Sequence, residues 1–443
     1  METTKQRVIW VGLVLVAVAY LVQLPTPLRV NTDGNVYLEL AASFNDGHGF
    51  IWHKHKSHFP AGYPIVVAAL ERLGLASSAG LVAWNYLMIA IAFVSGMSLL
   101  QRWLNLSRST AVLVLLMYLL SWATIRYALI PGSEMTYIAL SFLCLQCLMT
   151  AETSQGNSRW IWWILAVILM PISMSVRLVG VVLPPAVLWA LIVMCWRRRS
   201  APQITLADWA RRYRGMLILL GILCAITVAV LAWAVTRTSY FREDVSLMLK
   251  HGVRQELIFT FKQRFLELGS MLSNIPSKNV LLSLHRPLRY AGVPCLAMVF
   301  LILLRRIRSL TSVDVYLIAY VCLLMVWPYD ADVRFWLPVQ VLLFGLIARE
   351  LIDLTARLPD IARSIAIASN VWIGIFVILG AASFAWNTRL TYSGARFSEH
   401  WDVSYFRDTY RAASRNGLPV DPKSVNPDLL PILKRFGGRD FNP

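Results

Sequence analysis

Two acids and two arginines carry the chemistry this chain could perform. Asp33 opens Asp33-Gly34-Asn35-Val36-Tyr37-Leu38-Glu39-Leu40-Ala41, just after the first apolar run, and Glu134 closes Ile130-Pro131-Gly132-Ser133-Glu134. Arg177 follows Ser175-Val176, and Arg334 lies within Asp332-Val333-Arg334-Phe335-Trp336. Each stands at the edge of a long apolar stretch, where a charge costs free energy unless it is solvated or paired, so each is a candidate working group. A carboxylate so placed can take a proton from a hydroxyl. A guanidinium can hold a phosphate through paired, coplanar donors. Each residue alone also has an ordinary reading, Asp33 as a helix N-cap and each arginine as a snorkelling cation or a salt-bridge partner. Four such groups reaching one face from separate loops point to a shared vestibule.

Other clusters are weaker. His53-Lys54-His55-Lys56-Ser57-His58 gathers three imidazoles, which could ligate zinc. Lys54 and Lys56 oppose a cation there, and an extended segment puts His53 and His55 on one face and His58 elsewhere. A basic loop turned to phosphate or solvent is the favoured reading, with Lys56 and His58 as phosphate contacts; a divalent metal is possible but not favoured. The stretch 247–268 is amphipathic and basic, with Lys250, Arg254, Lys262 and Arg264 among Leu and Phe. Such a helix can lie flat on a membrane and meet lipid phosphates, which makes Arg254 a further candidate. Cys144-Leu145-Gln146-Cys147 has redox or metal spacing, but in the middle of an apolar run it reads as helix filler. All six cysteines fall in such runs, so no disulfide framework is indicated.

The elements that position these groups are membrane helices. Of 443 residues, 57% are hydrophobic, and the mean hydropathy is +0.58, which excludes an ordinary soluble domain. Apolar runs near bilayer-crossing length recur from Val8–Leu24 to Ile365–Trp386, about eleven in all. The fold class is therefore an all-α polytopic membrane protein with about eleven transmembrane helices and outside-facing interfacial helices in the first loop and a later loop. With the N-terminus cytoplasmic, the inside loops hold Lys5, Arg102, Arg108, Arg197, Arg198, Arg199, Arg305, Arg306 and Arg357, a positive-inside pattern. Much of the net charge of +18 belongs there and needs no nucleic-acid partner. The same alternation puts the four candidate charges, all seven histidines and the C-terminal tail outside. Ala17-Val18-Ala19 has the small-x-small form of a signal-peptide cleavage site, but the apolar run continues to Leu24, so the span is expected to be retained. The organisation expected is a catalytic membrane core over 1–350 with outside loops at 25–78 and 236–291, an inside loop and last span over 351–386, and a tail over 387–443.

The charged motifs resemble those of the GT-C superfamily of membrane glycosyltransferases. The Asp33 stretch is similar to its acidic first-loop motif, and His58-Phe59-Pro60-Ala61-Gly62-Tyr63-Pro64 to its Pro-Pro-Gly-Tyr-Pro-like segment. Ser133-Glu134 resembles the second acidic position, Arg177 the arginine after span five, and Arg334-Phe335-Trp336-Leu337-Pro338 the Arg-Tyr-x-x-Pro motif. The nearest branches are the protein O-mannosyltransferases and the lipid A aminoarabinose transferases. The chain departs from the pattern at Gly34, where many relatives carry a second acid, and at Phe59. The resemblance implies a polyprenyl-phosphate-linked sugar donor, transfer with inversion on the outer face, and a lipid, glycan or protein acceptor. It implies Asp33 as the general base, with Glu134 holding sugar hydroxyls, placing the acceptor or orienting an arginine. Arg177 and Arg334 take the donor phosphate, assisted by Lys56, His58 and Arg254, and Tyr37, Tyr63 and Asp332 contact substrate. No cofactor is required by this scheme. The only Asn-x-Ser/Thr sequon, Asn105-Leu106-Ser107, falls on the inside, which favours a bacterial inner membrane. Two other classes share some features: a lipid-linked glycan polymerase or ligase, and a transporter or flippase of lipid-linked sugars. Transporters more often carry buried acids near the midplane and internal symmetry, which this chain lacks.

Overall fold

A backbone inside hydrocarbon must satisfy its own polar groups, and in this chain it does so as helices. The computed structural model describes residues 2–52, 55–56, 59–154, 158–199, 249, 252–276, 282–327, 333–393 and 430–437. The first helix, α1, is Glu2–Val22; α2 (Thr32–Asn45) and α3 (Gly62–Arg72) follow it. Then come α4 (Ser78–Leu104), α5 (Arg108–Leu119), α6 (Trp122–Ala128), α7 (Ser133–Thr153), α8 (Ser158–Val176) and α9 (Leu183–Arg199). After the undescribed stretch come α10 (Val253–Ser273), α11 (Leu282–Arg305), α12 (Ser312–Val326), α13 (Leu337–Arg357), α14 (Pro359–Ser393) and the short α15 (Leu430–Phe436). The only sheet among the described residues is a two-stranded antiparallel pair, β1 (Ile51–Trp52) with β2 (His55–Lys56).

Six described helical segments are long and apolar enough to cross a membrane, and the bent pair α5 and α6, which meet at 62°, makes a seventh. Three further apolar helices, Arg7–Val22, Leu178–Val193 and Ser312–Val326, are shorter. The run Met216–Val235, expected as a span, lies outside the described residues. The protein is an integral membrane protein. At its centre stands α7, packed against α4, α8, α9, α12 and α13. Its apolar window is 83% buried, against 11% for α14, which leaves most of its surface to lipid. Small and hydroxyl side chains on α7, among them Ala139, Ser141 and Cys144, are fully buried and let neighbouring helices approach closely. Cys144 and Cys147 are buried within α7, as helix filler should be.

Two segments differ from expectation. The basic stretch around Arg264 was expected to lie on the membrane surface. Instead residues 266–271 of α10 are buried against the bundle, and Arg264 itself is fully buried. The early half keeps its apolar exposure at Ile258, Phe259 and Phe261. A charged residue can enter this interior because Glu267 lies one turn on, with both carboxylate oxygens on the Arg264 guanidinium at 2.8 and 2.6 Å. The last long helix runs past 386 to Ser393. Its extra turns are tied down by Arg29, which donates to the Asn387 side chain at 2.6 Å and to Thr391 at 3.1 Å.

Candidate active site

The site is built where the N-termini of α2 and α7 meet the turn after α8 and the 3-10 turn Val333–Trp336 that precedes α13. The α2 helix starts from Asn31, whose side-chain oxygen accepts from the Gly34 backbone at 2.7 Å. Asn31 is therefore the N-cap, and Asp33 sits in the first turn, released from capping and favoured there by the helix dipole. Gly34 is set by space. A Cβ there would lie 2.8 Å from the Pro131 carbonyl oxygen and 2.9 Å from Asn31 Oδ1. The close approach of α2 to the Ile130-Pro131 turn explains why no second acid stands at 34. Gly62 does the same for α3, since its Cβ would fall 2.6 Å from the Ser175 backbone, just before Arg177.

The four charges converge. Arg334 pairs with Asp33 at 2.8 Å, Arg177 pairs with Glu134 at 2.6 Å, and Arg334 also reaches the same Glu134 oxygen at 3.7 Å. Glu134 thus stands between two guanidiniums. The cluster has a closed half and an open half. The side chains of Glu134 and Arg177 are 4% and 10% exposed, while those of Asp33 and Arg334 are 23% and 19% exposed. The open half is the one that solvent can reach. Phe335 holds the two like charges near each other, with each guanidinium carbon 5.0 Å from its ring centroid. Burial works against the charged form of Arg177, but Glu134 and Tyr37 beside it carry its pKa above the usual guanidinium value, so it remains a cation.

A polar floor supports the cluster. Ser133 Oγ accepts from Arg177 at 3.3 Å and lies 3.2 Å from the Tyr37 hydroxyl. Burial, then the charge of Asp33, raises the Tyr37 pKa well above that of a free phenol, which keeps it a neutral donor. The Tyr63 ring meets Tyr37 edge-on at 5.2 Å, and its fully buried hydroxyl has no hydrogen-bond partner among the described residues. Beneath them, the Tyr137 and Tyr316 hydroxyls are 3.3 Å apart, and Tyr320 donates to the Phe335 carbonyl at 2.8 Å.

The arginine-bearing turn is anchored from its other side too. Trp336, fully buried, donates its indole N–H to Glu267 at 3.0 Å. Arg264 holds Glu267 and also donates to the carbonyls of Leu324 and Trp327 at 2.9 and 3.0 Å, closing the C-terminal end of α12. The orientation of Arg334 therefore depends on α10 and α12 as well as on Asp33.

Of the residues singled out from the sequence, Asp33, Glu134, Arg177, Arg334 and Tyr37 come together, with Tyr63 packed on Tyr37. Arg254 is exposed in the first turn of α10, away from the buried stretch that meets the 3-10 turn. Lys56 lies in β2, and His58 and Asp332 lie outside the described residues. Ser133, as a contact of both Arg177 and Tyr37, Phe335, the Tyr137–Tyr316–Tyr320 group and the Arg264–Glu267 pair were not singled out as site contacts. The i, i+4 spacing of Tyr316 and Tyr320 on one helix face was the signal available for two of them. Among the described residues no three His, Cys, Asp or Glu side chains form a metal-binding group. The geometry of Glu134 does not suit a metal, since two guanidiniums already occupy the space around its oxygen.

No family model matches the chain, and no curated protein matches it by sequence. Among solved structures, it is similar to ArnT from Cupriavidus metallidurans bound to undecaprenyl phosphate, with 15% identity and a TM-score of 0.49, covering 88% of this chain and 79% of that one. It is also similar to the Archaeoglobus fulgidus oligosaccharyltransferase tethered through a disulfide bond to an acceptor peptide with the NVT sequon. That match has 9% identity and a TM-score of 0.50, covering 94% of this chain and 60% of that one. The likeness is one of fold: the chain shares the helical membrane fold of this oligosaccharyltransferase.

Proposed function

We propose that this protein is a GT-C-type glycosyltransferase that moves a sugar, with inversion, from a polyprenyl-phosphate donor to a lipid, glycan or protein acceptor. The observation that carries the reading is the pairing of the more exposed acid, Asp33, with the more exposed arginine, Arg334, beside a buried Glu134–Arg177 pair. In this reading Arg334 is shared. Without donor it neutralises Asp33; with donor it turns to the phosphate and leaves Asp33 to act as base.

The transfer step then balances. The acceptor oxygen attacks the anomeric carbon from the face opposite the phosphate, and Asp33 takes its proton as the bond forms. The bond from the anomeric carbon to the phosphate oxygen breaks, and its electron pair stays on the lipid phosphate. Charge on that phosphate grows through the transition state, so Arg177 and Arg334 stabilise the transition state more than the bound donor. Glu134 keeps Arg177 aimed. Tyr63, with its partnerless buried hydroxyl, offers a donor to a sugar oxygen, and Tyr37 holds Ser133 beneath Arg177. Lys56, His58 and Arg254 supply further positive charge to the donor, and Asp332 a further substrate contact. Two guanidiniums do the work that a metal would do at a leaving phosphate, so no cofactor is invoked. We read the three shorter apolar helices and Met216–Val235 as spans as well, which gives eleven. The site end is extracytoplasmic, the N-terminus is cytoplasmic, the C-terminus lies on the site side, and the membrane is a bacterial inner membrane.

The test compares cell-envelope glycans and polyprenyl-phosphate sugars by mass spectrometry in strains with the intact protein, without it, and with Asp33→Asn. The reading expects one sugar to vanish from an acceptor in both altered strains while its lipid-linked donor persists. A donor that persists only on the cytoplasmic leaflet of the deletion strain supports a flippase and overturns the reading.

A further inference from the structure

Two neighbouring side chains on α4 grip the turn that carries Glu134 and take no part in the transfer step. Asn85 is fully buried and donates its side-chain amide to the carbonyls of Ala128 and Ile130, at 3.1 and 2.8 Å. Ala128 is the last residue of α6, where a helix leaves carbonyls without intrahelical donors. Both groups are acceptors, so only the Asn85 nitrogen can serve them. Its oxygen has no hydrogen-bond partner among the described residues, so donation is the whole of what this buried amide does there. Trp84, one position back and about 100° round the helix, donates its indole N–H at 3.0 Å to Thr136 in the first turn of α7.

Between these holds lies the turn that makes the site. Ile130 is followed by Pro131, whose carbonyl oxygen is the atom a Cβ at Gly34 would meet. Gly132 is the N-cap of α7 and supplies no capping side chain. Its Cα lies so close to the Glu134 carboxylate that a Cβ there would collide with Oε2. Ser133 meets Arg177 and Tyr37, and Glu134 meets Arg177 and Arg334. The start of α7 therefore has no N-cap side chain to fix it. The α4 helix fixes it instead, through the carbonyls before the turn and the Thr136 hydroxyl just inside the helix.

Glu134 is sensitive to where α7 starts, because one of its oxygens stands 2.6 Å from Arg177 and 3.7 Å from Arg334. The two distances differ by about an ångström, and a misplacement of that size is enough to slow a positioned reaction about 10²-fold. We propose that Asn85 and Trp84 are positioning residues for Glu134. By holding both sides of the turn they keep its carboxylate on Arg177, so that Arg334 is held by Asp33 and not by Glu134. The effect on sugar transfer rests on the transferase reading above; the placement of Glu134 does not.

The test reads the placement of Glu134 by carbodiimide coupling of a glycine ester to the carboxyls of the purified full-length protein in detergent, followed by peptide mass spectrometry. Asp314, also buried and held by Arg306 and Thr311 at the start of α12, reports general loosening. Asn85→Leu nearly keeps the side-chain size and loses both donated bonds. It should raise labelling of Glu134 about fivefold or more and leave Asp314 as in the intact protein. Trp84→Phe loses only the indole N–H, and Thr136→Val only its acceptor. Each should raise Glu134 labelling by a like, smaller factor, and the double variant by no more than either. These conservative variants carry the test should Asn85→Leu fail to fold. Unchanged Glu134 labelling, or an equal rise at Asp314, overturns the proposal. A second arm measures transfer. Asn85→Leu should lower kcat about tenfold with the donor KM unchanged. In a Glu134→Gln background the same substitution should lower kcat less than about twofold, since no carboxylate is left to misplace. An equal fall in both backgrounds overturns the route through Glu134. Labelling as expected, in a protein that transfers no sugar at all, keeps the placement of Glu134 and sinks the transferase.

Discussion

Glu267→Gln removes one charge from a pair that has almost no water around it. Arg264 is fully buried and Glu267 is 3% exposed. With both charges present, their attraction offsets the desolvation of each. With Glu267 neutral, the buried guanidinium loses this carboxylate, and breaking a buried pair from one side costs about 3–5 kcal/mol. The glutamine oxygen still accepts a hydrogen bond, so a value near about 3 kcal/mol is expected. The loss should also reach the active site, because Trp336, held at 3.0 Å by Glu267, lies two residues beyond Arg334. A displacement of about 1 Å at a positioned group can lower a rate about 10²-fold. The assay is chemical unfolding in detergent micelles together with the rate of sugar transfer. The double variant Arg264→Met/Glu267→Leu removes both buried charges together, so part of the stability should return. Transfer should not return with it, because Trp336 has still lost its acceptor. An unaltered unfolding midpoint in Glu267→Gln, or full activity in the double variant, would refute the claim that this network aims Arg334.

Other outcomes follow from contacts of the site and its surroundings. Gly34→Ala places a Cβ 2.8 Å from the Pro131 carbonyl oxygen, and the overpacking should cost about 1–3 kcal/mol in unfolding experiments and slow transfer by moving Asp33 from Arg334. One nitrogen of Arg177, Nη1, meets both Glu134 and Ser133, which leaves the rest of the guanidinium for a phosphate; Arg177→Lys keeps the charge but loses those further planar donors, so transfer should fall about 10²–10³-fold in a steady-state assay. The Asp46 carboxyl is held below its usual pKa by hydrogen bonds from Arg435, which docks α15 on α2. The contact is therefore fully present above the ordinary Asp value, about 3.9, and is lost as pH falls through the depressed one. Hydrogen exchange of Leu430–Phe436 should show protection fading in that acid window, and Asp46→Asn should lower the protection above it, with Glu71, the other carboxylate on Arg435, holding what remains.

The four charges that cluster could be read from the sequence because each abuts an apolar run. A charge at a span end is forced to one membrane face, and loop alternation then brings separate loops together. Their partners were harder to see. That Asn31 caps α2 in place of Asp33 depends on a backbone angle at residue 31, and both residues are good caps by type. Arg264 has the same hydropathy whether it faces lipid phosphate or the core, and only the packing of α10 beside α12 and the 3-10 turn distinguishes the two. The tyrosines below the cluster come from α2, α3, α7 and α12, so their grouping is a tertiary fact with no local pattern beyond the Tyr316–Tyr320 spacing. The bend after Leu119 is likewise invisible in an apolar run that continues through it, though Asn274, far along the chain, is what holds it.

The most direct test of the central claim is single-turnover transfer with Asp33→Asn beside a donor-binding measurement. Asparagine keeps the size and the start of α2, since Asn31 is the cap, but it cannot take a proton. The account predicts that Asp33→Asn binds the polyprenyl-phosphate sugar at least as well as the intact protein, because Arg334 is no longer held by the Asp33 carboxylate, while transfer falls about 10²–10⁴-fold. Transfer at the intact rate, with donor binding unchanged, would contradict it.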